Sequence, residues 1–356
     1  MKLRIFLLTF LLIALGVFLQ GCKGEEEEEK EKEDLVEPDV AIITPGHDEK
    51  FTVGDEIKVK IEVNHPDLIS DLQLYVDDTL YKDSLLLEDQ ELKVSTQNAR
   101  VGFVPIYLKY KDGKGEEHRD NRTITLFSDI IPEYWETNMI NTYPHDPKSY
   151  TQGLEFYKGR LYESTGQYGT SLVAEVELTS GQHLRKVDLD DAFFGEGITI
   201  LNDQLYQLTY RAGKCFVYDI NTLDIVNEFT YQDEGWGLCN NGSSLIMSNG
   251  SSDIVWRDPT TFEVTKTLQV FDNQSNLTQI NELELIDGDL YANIYTDTRV
   301  ARIDTTTGKV KTYINLAPLV NAQPPGSEVL NGIAAWNGKI YVTGKLWHYL
   351  YEVKFQ

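Results

Sequence analysis

The sequence is poor in cysteine and histidine, and this scarcity limits its metal and disulfide chemistry. It contains three cysteines and six histidines in 356 residues. The histidines are scattered and form no HxH or HExxH pattern, so no transition-metal centre is indicated. Cys215 and Cys239 could pair in an oxidising compartment, but nothing in their spacing requires a disulfide.

Basic residues are also scarce, which bears on the choice of partner. The chain has 32 Lys and Arg against 57 Asp and Glu, a net charge of −25. The run "EEEEEKEKED" at residues 25–34 carries a net −6, which leaves −19 for the rest. A surface this acidic repels phosphate backbones, so nucleic acid is excluded as a partner. The run itself cannot bury apolar surface and is predicted to form an extended acidic tether over residues 23–37.

An apolar stretch at residues 5–19 follows Lys2 and Arg4 and precedes "LQGC", which ends at Cys22. This layout is typical of a lipoprotein signal peptide, predicted here over residues 1–22 with the lipid on Cys22. We therefore expect an exported protein that is lipid-anchored in the bacterial cell envelope, in the periplasm or on the outer-membrane surface. The alternative is an uncleaved membrane anchor, but 15 apolar residues fall short of the roughly 20 that a spanning helix needs.

Short alternating segments follow the tether. Phrases such as "KFTVGDEIKVKIEV" and "DLQLYVDDTLY" place apolar residues at every second position and are broken by Gly, Asp and Asn turns. This pattern predicts an all-β protein whose residues 38–128 form a small immunoglobulin-like β-sandwich. No cluster of catalytic residue types occurs there, which favours a spacer or adhesive role.

A repeat dominates the remaining chain and predicts a five-bladed β-propeller over residues 129–356. Five phrases recur at steps of 40 to 50 residues: "GRLYEST", "DQLYQLT", "SSLIMSN", "GDLYANI" and "GKIYVTG". Each step has room for four strands, the content of one propeller blade. The last blade lacks a fourth strand, and residues 136–143 are predicted to supply it, which would close the ring.

Two sets of equivalent positions are predicted to meet at one mouth of this ring. The first set lies at the start of each blade's first strand: Gln152, Glu196, Trp236, Asn281 and Asn331. The second set follows each second strand: Gly166, Tyr210, Gly250, Tyr295 and Lys345. Antiparallel pairing returns the end of the second strand to the start of the first, so both sets face the same mouth.

Eight ordered motifs from about residue 138 onward carry a family resemblance, among them "SYTQGLEFYKGRLYEST", "FGEGIT", "EGWGL", "NELE" and "VTGKLW". They resemble the plant and bacterial type of glutaminyl-peptide cyclotransferase. The resemblance implies a five-bladed propeller that converts the N-terminal glutamine of peptides or proteins to 5-oxoproline with release of ammonia. It implies no catalytic zinc and no cofactor, while a structural calcium ion in the channel is left open.

The resemblance also implies roles for individual residues. The family's essential glutamate falls on Glu196, its asparagine on Asn281 and its lysine on Lys345. Its pocket tryptophan matches Trp236, whereas this chain has Tyr210 and Tyr295 where the family commonly has tryptophan.

From the chemistry, we expect Glu196 to shuttle the proton from the attacking amine to the leaving nitrogen. Asn281 and the indole N–H of Trp236 are expected to stabilise the oxyanion. Lys345 would tune Glu196 or hold a substrate carbonyl.

Simpler interpretations of the same residues remain. Glu196 could be a solvated turn residue, Trp236 a plug in the channel and Lys345 a surface lysine. Gln152 could belong to the pocket wall or to the scaffold. Asn281 could satisfy backbone groups at the end of its strand, and Asn331 is expected to do so.

At the level of function, the alternative is a non-catalytic surface lipoprotein that binds peptide or glycan, because propellers host many functions. A quinone-dependent dehydrogenase of propeller fold would need a metal cage and a histidine base that are not evident. A monomer is expected.

Overall fold

The computed structural model describes residues 39–356. The predictions of a signal peptide, a lipid on Cys22 and an acidic tether lie outside these residues. Nearly all regular elements of the described part are β-strands, and the exceptions are one short α-helix, Ala317–Asn321, and one 3-10 helix, Pro66–Leu68. None of its helices has the length and apolar character needed to cross a bilayer.

The N-terminal strands form two sheets with a shared apolar core. One sheet has the order β1-β3-β6 and the other β2-β8-β7-β4-β5. The alternation seen in the sequence explains the core, since Ile57, Val59 and Ile61 of β3 all face inward and are fully buried. The strands are β1 (Asp39–Thr44), β2 (Lys50–Thr52), β3 (Glu56–Asn64), β4 (Ile69–Val76), β5 (Thr79–Lys82), β6 (Gln90–Ser95), β7 (Gly102–Asp112) and β8 (Glu117–Phe127).

The rest of the chain forms groups of four antiparallel strands that follow one another in sequence. The first three groups are separate sheets: β10 (Thr151–Tyr157), β11 (Arg160–Thr165), β12 (Leu172–Val176) and β13 (His183–Asp188); β14 (Gly195–Leu201), β15 (Gln204–Thr209), β16 (Lys214–Asp219) and β17 (Ile225–Thr230); β18 (Leu238–Asn240), β19 (Leu245–Ser248), β20 (Asp253–Arg257) and β21 (Val264–Gln269). The repeated phrases form the second strand of each group, as the sequence predicts.

The last strands join into one eight-stranded sheet through β9 (Glu133–Pro144). Its other members are β22 (Ile280–Ile286), β23 (Asp289–Ile294), β24 (Arg299–Asp304), β25 (Val310–Asn315), β26 (Leu330–Trp336), β27 (Lys339–Gly344) and β28 (Tyr349–Phe355). The first part of β9 pairs in parallel with β25, and the remainder pairs antiparallel with β28. Residues 137–143 therefore lie beside β28, in the place that the closure argument assigned to them, while residue 136 pairs with β25.

The first strands of the groups pack side by side in a closed circle. Each of β10, β14, β18, β22 and β26 contacts the next, and β26 contacts β10. Their approach is too close for a side chain at Gly197, where a Cβ atom would lie 2.5 Å from the backbone nitrogen of Leu238. One end of this circle is where the predicted site residues lie.

The N-terminal sheets contact the later strands directly. Phe271, which follows β21, packs into the core of the N-terminal sheets. The side-chain oxygen of Gln269 accepts a hydrogen bond of 2.7 Å from the backbone of Phe103, and the backbone nitrogen of Val101 donates to the backbone oxygen of Thr307 at 3.0 Å. The predicted boundary at residues 128 and 129 is thus crossed by packing and polar contacts. Cys215 and Cys239 are both buried free thiols.

Candidate active site

β-Bulges at the start of the first strands position the central side chains. The regular pairing of β10 with β11 skips Gln152, that of β14 with β15 skips Glu196, and that of β22 with β23 skips Asn281. A bulge interrupts the alternation of a strand and redirects the side chain that it carries. In this way a carboxylate in an apolar strand is turned toward the mouth of the circle of strands.

These residues line a cavity of about 200 Å³. All seven residues that the sequence predicts for catalysis and substrate binding lie in its wall: Gln152, Glu196, Tyr210, Trp236, Asn281, Tyr295 and Lys345. The remaining wall residues are Tyr150, Gln167 and Phe194. The predicted convergence of the two sets of positions is therefore found in the structure.

Glu196 is the buried carboxyl group of this cavity, with 5% of its surface exposed. Burial raises its pKa well above the usual range, the nearby Lys345 ammonium opposes that rise, and the negative charge of Glu234 adds to it. Its Oε1 accepts a hydrogen bond of 3.2 Å from the side-chain nitrogen of Gln152. A carboxyl group with a raised pKa can both take up and release a proton near neutral pH.

Gln152 is held in one orientation by Asn331. The side-chain nitrogen of Asn331 donates to the Gln152 amide oxygen at 3.0 Å and to the backbone oxygen of Thr151 at 2.9 Å. The amide nitrogen of Gln152 is thereby left to face Glu196. Gln152 belongs to the pocket wall, and Asn331 satisfies a backbone group, as its sequence position suggested.

Lys345 is buried beside two aromatic rings and is not a surface lysine. Only 3% of its surface is exposed, and its ammonium lies 4.9 Å from the ring centre of Tyr150 and 5.2 Å from that of Tyr295. Burial lowers its pKa, while the negative charges of Glu196 and Glu328 counteract that effect. The cation is held by ring faces and by the nearby carboxyl groups.

The indole N–H of Trp236 already has a hydrogen-bond partner. It donates a hydrogen bond of 3.0 Å to Glu234. In this structure the donor is engaged by a carboxylate two residues earlier in "EGWGL", and its role in stabilising the oxyanion stays a prediction. The ring itself remains in the wall, 5.6 Å from Tyr295 and 6.5 Å from Tyr210 between ring centres.

Space for the Trp236 ring comes from Gly250. A Cβ atom there would lie 2.7 Å from the indole ring, and the backbone has a φ of 80°, which disfavours other residues. Gly250, which follows the second strand of its group, therefore leaves space for the ring of Trp236, which precedes the first strand of the same group.

Asn281 is 3% exposed, lines the cavity and keeps an unused acceptor. Its side-chain oxygen Oδ1 is buried without a hydrogen-bond partner. Buried polar atoms are nearly always paired, so an unpaired one in a cavity wall points to a bound group as its partner. A substrate N–H would satisfy this oxygen.

Three wall residues were not predicted from the sequence. Phe194 immediately precedes "GEG", Tyr150 precedes "TQG", and their rings pack edge to face with centres 6.2 Å apart. Gln167 lies in the loop after β11 and is exposed. The aromatic residues adjoin recognisable motifs, so their positions carried a signal, whereas Gln167 lies on a loop without periodicity.

Among the described residues, one group of side chains has the arrangement of a metal site, and it is remote from this cavity in sequence. Asp112, Glu116 and His118 lie at the hairpin between β7 and β8, and none of them lines the cavity. Asp112 already accepts hydrogen bonds from the backbone of its own turn and from His118. The cavity itself offers carboxyl, amide, ammonium and phenol groups.

Fold and site together define an all-β protein with a buried acid in an aromatic pocket, and comparisons with known proteins identify the family. The model of the glutamine cyclotransferase family matches residues 117–355. The chain therefore belongs to the glutamine cyclotransferase family.

Two relatives extend this result. Glutaminyl-peptide cyclotransferase of Arabidopsis thaliana is 37% identical over 231 residues, which cover 62% of this chain and 72% of the relative. The crystal structure of glutaminyl cyclase from Myxococcus xanthus superposes with a TM-score of 0.60 at 34% identity and covers 63% of this chain and 98% of that chain.

Proposed function

We propose that this protein converts the N-terminal glutamine of peptides or proteins to 5-oxoproline and releases ammonia. The observation that carries the proposal is Glu196, a buried carboxyl group with a raised pKa next to Lys345 in the cavity of a glutamine cyclotransferase. The names of the two relatives support the same substrate class. A pocket that only binds peptide or glycan has no need for an acid of this kind, so the non-catalytic alternative is not favoured.

Glu196 would carry the proton through the reaction. The substrate α-amine, with a pKa of about 7.7 to 8, is partly neutral at working pH and attacks the side-chain amide carbon. Ionised Glu196 takes a proton from that amine as the new C–N bond forms. It then gives the proton to the amide nitrogen, whose bond to carbon breaks, so that ammonia leaves. Positioned acid and base catalysis of this kind contributes about 10²- to 10⁴-fold.

The remaining wall residues would position the substrate. Asn281 is assigned to the polar contacts of the reacting amide, with its nitrogen on the oxyanion and its unpaired oxygen on a substrate N–H. Lys345 keeps the pKa of Glu196 from rising further. Tyr210, Trp236 and Tyr295 form the stacking wall, and the two tyrosines are the positions at which substrate preference could differ within the family.

The reaction is proposed to need neither zinc nor another cofactor. The donor set Asp112, Glu116 and His118 contributes no residue to the cavity, and Glu196 can carry the proton without a Lewis acid. A calcium ion in the channel is a separate proposal: it would have a structural role and would take no part in the reaction.

The finer architecture is also proposed. The circle of first strands supports a five-bladed propeller over residues 129–356, and the two N-terminal sheets support an immunoglobulin-like domain over residues 38–128. Lipid attachment at Cys22, the tether over residues 23–37, a place in the cell envelope and a monomeric state complete the proposal. Metabolic labelling with a fatty acid, compared between wild type and Cys22→Ala, tests the anchor.

Ammonia release from a peptide with N-terminal glutamine tests the proposed activity. The expected result is one ammonia per peptide and a product that has lost its free α-amine. The same peptide with an acetylated N-terminus is the matched control and should not react, because its nitrogen cannot attack. Absence of ammonia from the free peptide under all conditions would overturn the proposal.

A further inference from the structure

An ion pair stands directly behind two wall residues of the cavity. The carboxylate of Glu234 accepts one hydrogen bond from Nε of Arg211 at 2.8 Å and another from the indole N–H of Trp236 at 3.0 Å. Arg211 also donates from Nη2 to the phenol oxygen of Tyr210 at 3.0 Å. The side chains of Tyr210 and Trp236 are thus both hydrogen-bonded to the same ion pair.

The pair links two loops that carry these walls. Tyr210 and Arg211 follow β15, while Glu234 and Trp236 lie between β17 and β18. Two backbone hydrogen bonds also join these loops, one of 3.0 Å from Gly235 to Tyr210 and one of 2.8 Å from Tyr231 to Gly213. The guanidinium of Arg211 also lies 4.6 Å from the ring centre of Tyr210, so the ring is fixed at its face and at its oxygen.

The hydrogen bond from Arg211 depends on tyrosine at position 210. Tryptophan, which the family commonly has here, offers an N–H donor and no acceptor oxygen to a guanidinium. The phenol of Tyr210 supplies that acceptor. A tryptophan at position 210 would leave Arg211 without this hydrogen bond.

Glu234 also acts on Glu196 by its charge. Although burial alone would raise the pKa of Glu234, hydrogen bonds from Arg211 and Trp236 hold it below the usual range, so this group is ionised at neutral pH. Its negative charge contributes to the raised pKa of Glu196. The other titratable groups that line the cavity or influence Glu196 are Lys345, Tyr150, Tyr210, Tyr231 and Tyr295.

We propose that Arg211 and Glu234 are positioning residues of the cyclisation reaction: they hold Tyr210 and Trp236 as a fixed wall, and Glu234 places a negative charge near the proton-carrying Glu196. Neither residue lines the cavity, so neither is required to touch the substrate. This inference rests on the proposed function.

Two substitutions at Glu234 separate the two effects. Glu234→Gln keeps an oxygen that can accept the indole N–H and removes the charge. The acid limb of kcat against pH should then move down by about 0.3 to 1 unit, with KM nearly unchanged. Glu234→Ala also removes the acceptor, so KM should rise about tenfold because the indole is no longer held.

Glu228→Gln is the matched control. Glu228 forms an ion pair of 3.0 Å with Lys214, partly exposed like the Arg211 pair, and neither partner lines the cavity. Its pH profile and KM should equal those of the wild type.

Each outcome decides a separate claim. Failure of the wild type to release ammonia overturns the proposed function and this inference with it. An active wild type overturns the positioning role alone if the acid limb of Glu234→Gln does not move and the KM of Glu234→Ala does not rise. The same shift in Glu228→Gln would also overturn it, because the effect would then be unspecific.

Discussion

At the residue scale, the site depends on the balance of charges around Glu196. Burial raises the pKa of this carboxyl group, Glu234 raises it further, and Lys345 opposes both. A carboxyl group with a raised pKa holds its proton to higher pH, which suits a group that passes a proton between two nitrogen atoms. A substitution that changes any of these three influences should shift the pH dependence of kcat more strongly than it changes the melting temperature.

Replacement of Lys345 by methionine tests this balance. The pKa of Glu196 should rise further without the ammonium, so the acid limb of kcat should move to higher pH. We expect roughly a tenfold loss of kcat at pH 7 that is partly recovered at alkaline pH. Stability should change little, because methionine suits a buried site between two rings.

The measurement is kcat against pH for both proteins, with melting temperature as a control for folding. An acid limb that stays in place, or moves down, would show that Lys345 does not tune Glu196.

The sequence predicted the identity of the site residues better than their contacts. The sequence correctly predicted that Glu196, Asn281 and Lys345 lie in the cavity wall. Strand register and motif spacing are both read from residue intervals, which the sequence shows directly. The hydrogen bond of Trp236 could not be predicted, because it depends on the side-chain direction of Glu234. Gln167 was missed because its loop has no repeating pattern.

At the scale of elements, β9 joins the last two strand groups. Residues 133–136 pair with β25 and residues 137–144 pair with β28. The strand is far in sequence from both partners, yet its removal would expose two sheet edges at once. Unpaired edges are templates for association with other chains.

A chain that begins at Pro147 should therefore associate, whereas one that begins at Asp129 should stay monomeric and fold. The comparison isolates β9, since both chains lack the N-terminal sheets. Light scattering and melting temperature give the answer. A monomer from residue 147 with an unchanged melting temperature would disprove the role of β9 in closure.

Three acids from the first strands are packed together farther along the same circle of strands. Burial is the main cause of the raised pKa of Glu155, Glu282 and Glu284, and for Glu155 the value is about 8. Glu282 also accepts backbone hydrogen bonds from Leu154 of β10 and from Ile333 of β26, the next first strand in the circle. A raised pKa of an acid stabilises the fold below the unfolded pKa of about 4.3, and this contribution is lost as pH rises through the folded pKa.

Glu284→Gln should remove part of that loss. Glutamine retains an oxygen for the backbone nitrogen of Ala335, which Glu284 bonds at 2.9 Å, but cannot ionise. The melting temperature of the variant relative to wild type should therefore increase with pH and reach about 2–4 °C by pH 9. Melting curves at pH 5, 7 and 9 measure this, and a constant difference across that range would contradict it.

The sequence repeats predicted the positions of the β-strands well, but they predicted the packing contacts between strands and sheets less well. The five recurring phrases locate β11, β15, β19, β23 and β27 because each has the same strand pattern and spacing. The packing of Phe271 into the core of the N-terminal sheets has no such signal, since it depends on one side chain after the end of a strand. β-Bulges were also not predicted, although they are what directs Glu196 and Asn281 into the cavity.

At the scale of the whole molecule, chelation tests whether the reaction requires a metal. Turnover should be unchanged after prolonged treatment with a strong chelator, because the donor set at Asp112, Glu116 and His118 contributes no residue to the cavity. A lower melting temperature with full activity would indicate a structural ion. Loss of turnover that zinc restores would contradict the proposed mechanism.

The central claim is that the protein catalyses cyclisation through proton transfer by the carboxyl group of Glu196. The rate of ammonia release tests this claim most directly. The rate is measured with a peptide that begins with glutamine, for wild type, Glu196→Gln and Glu228→Gln, beside their melting temperatures. Glutamine at position 196 keeps the size of the side chain and its reach to Gln152 but cannot carry a proton. The account predicts that Glu196→Gln loses at least about 10²-fold in turnover with no fall in melting temperature, while Glu228→Gln equals wild type. Turnover of Glu196→Gln within a few fold of wild type would contradict it.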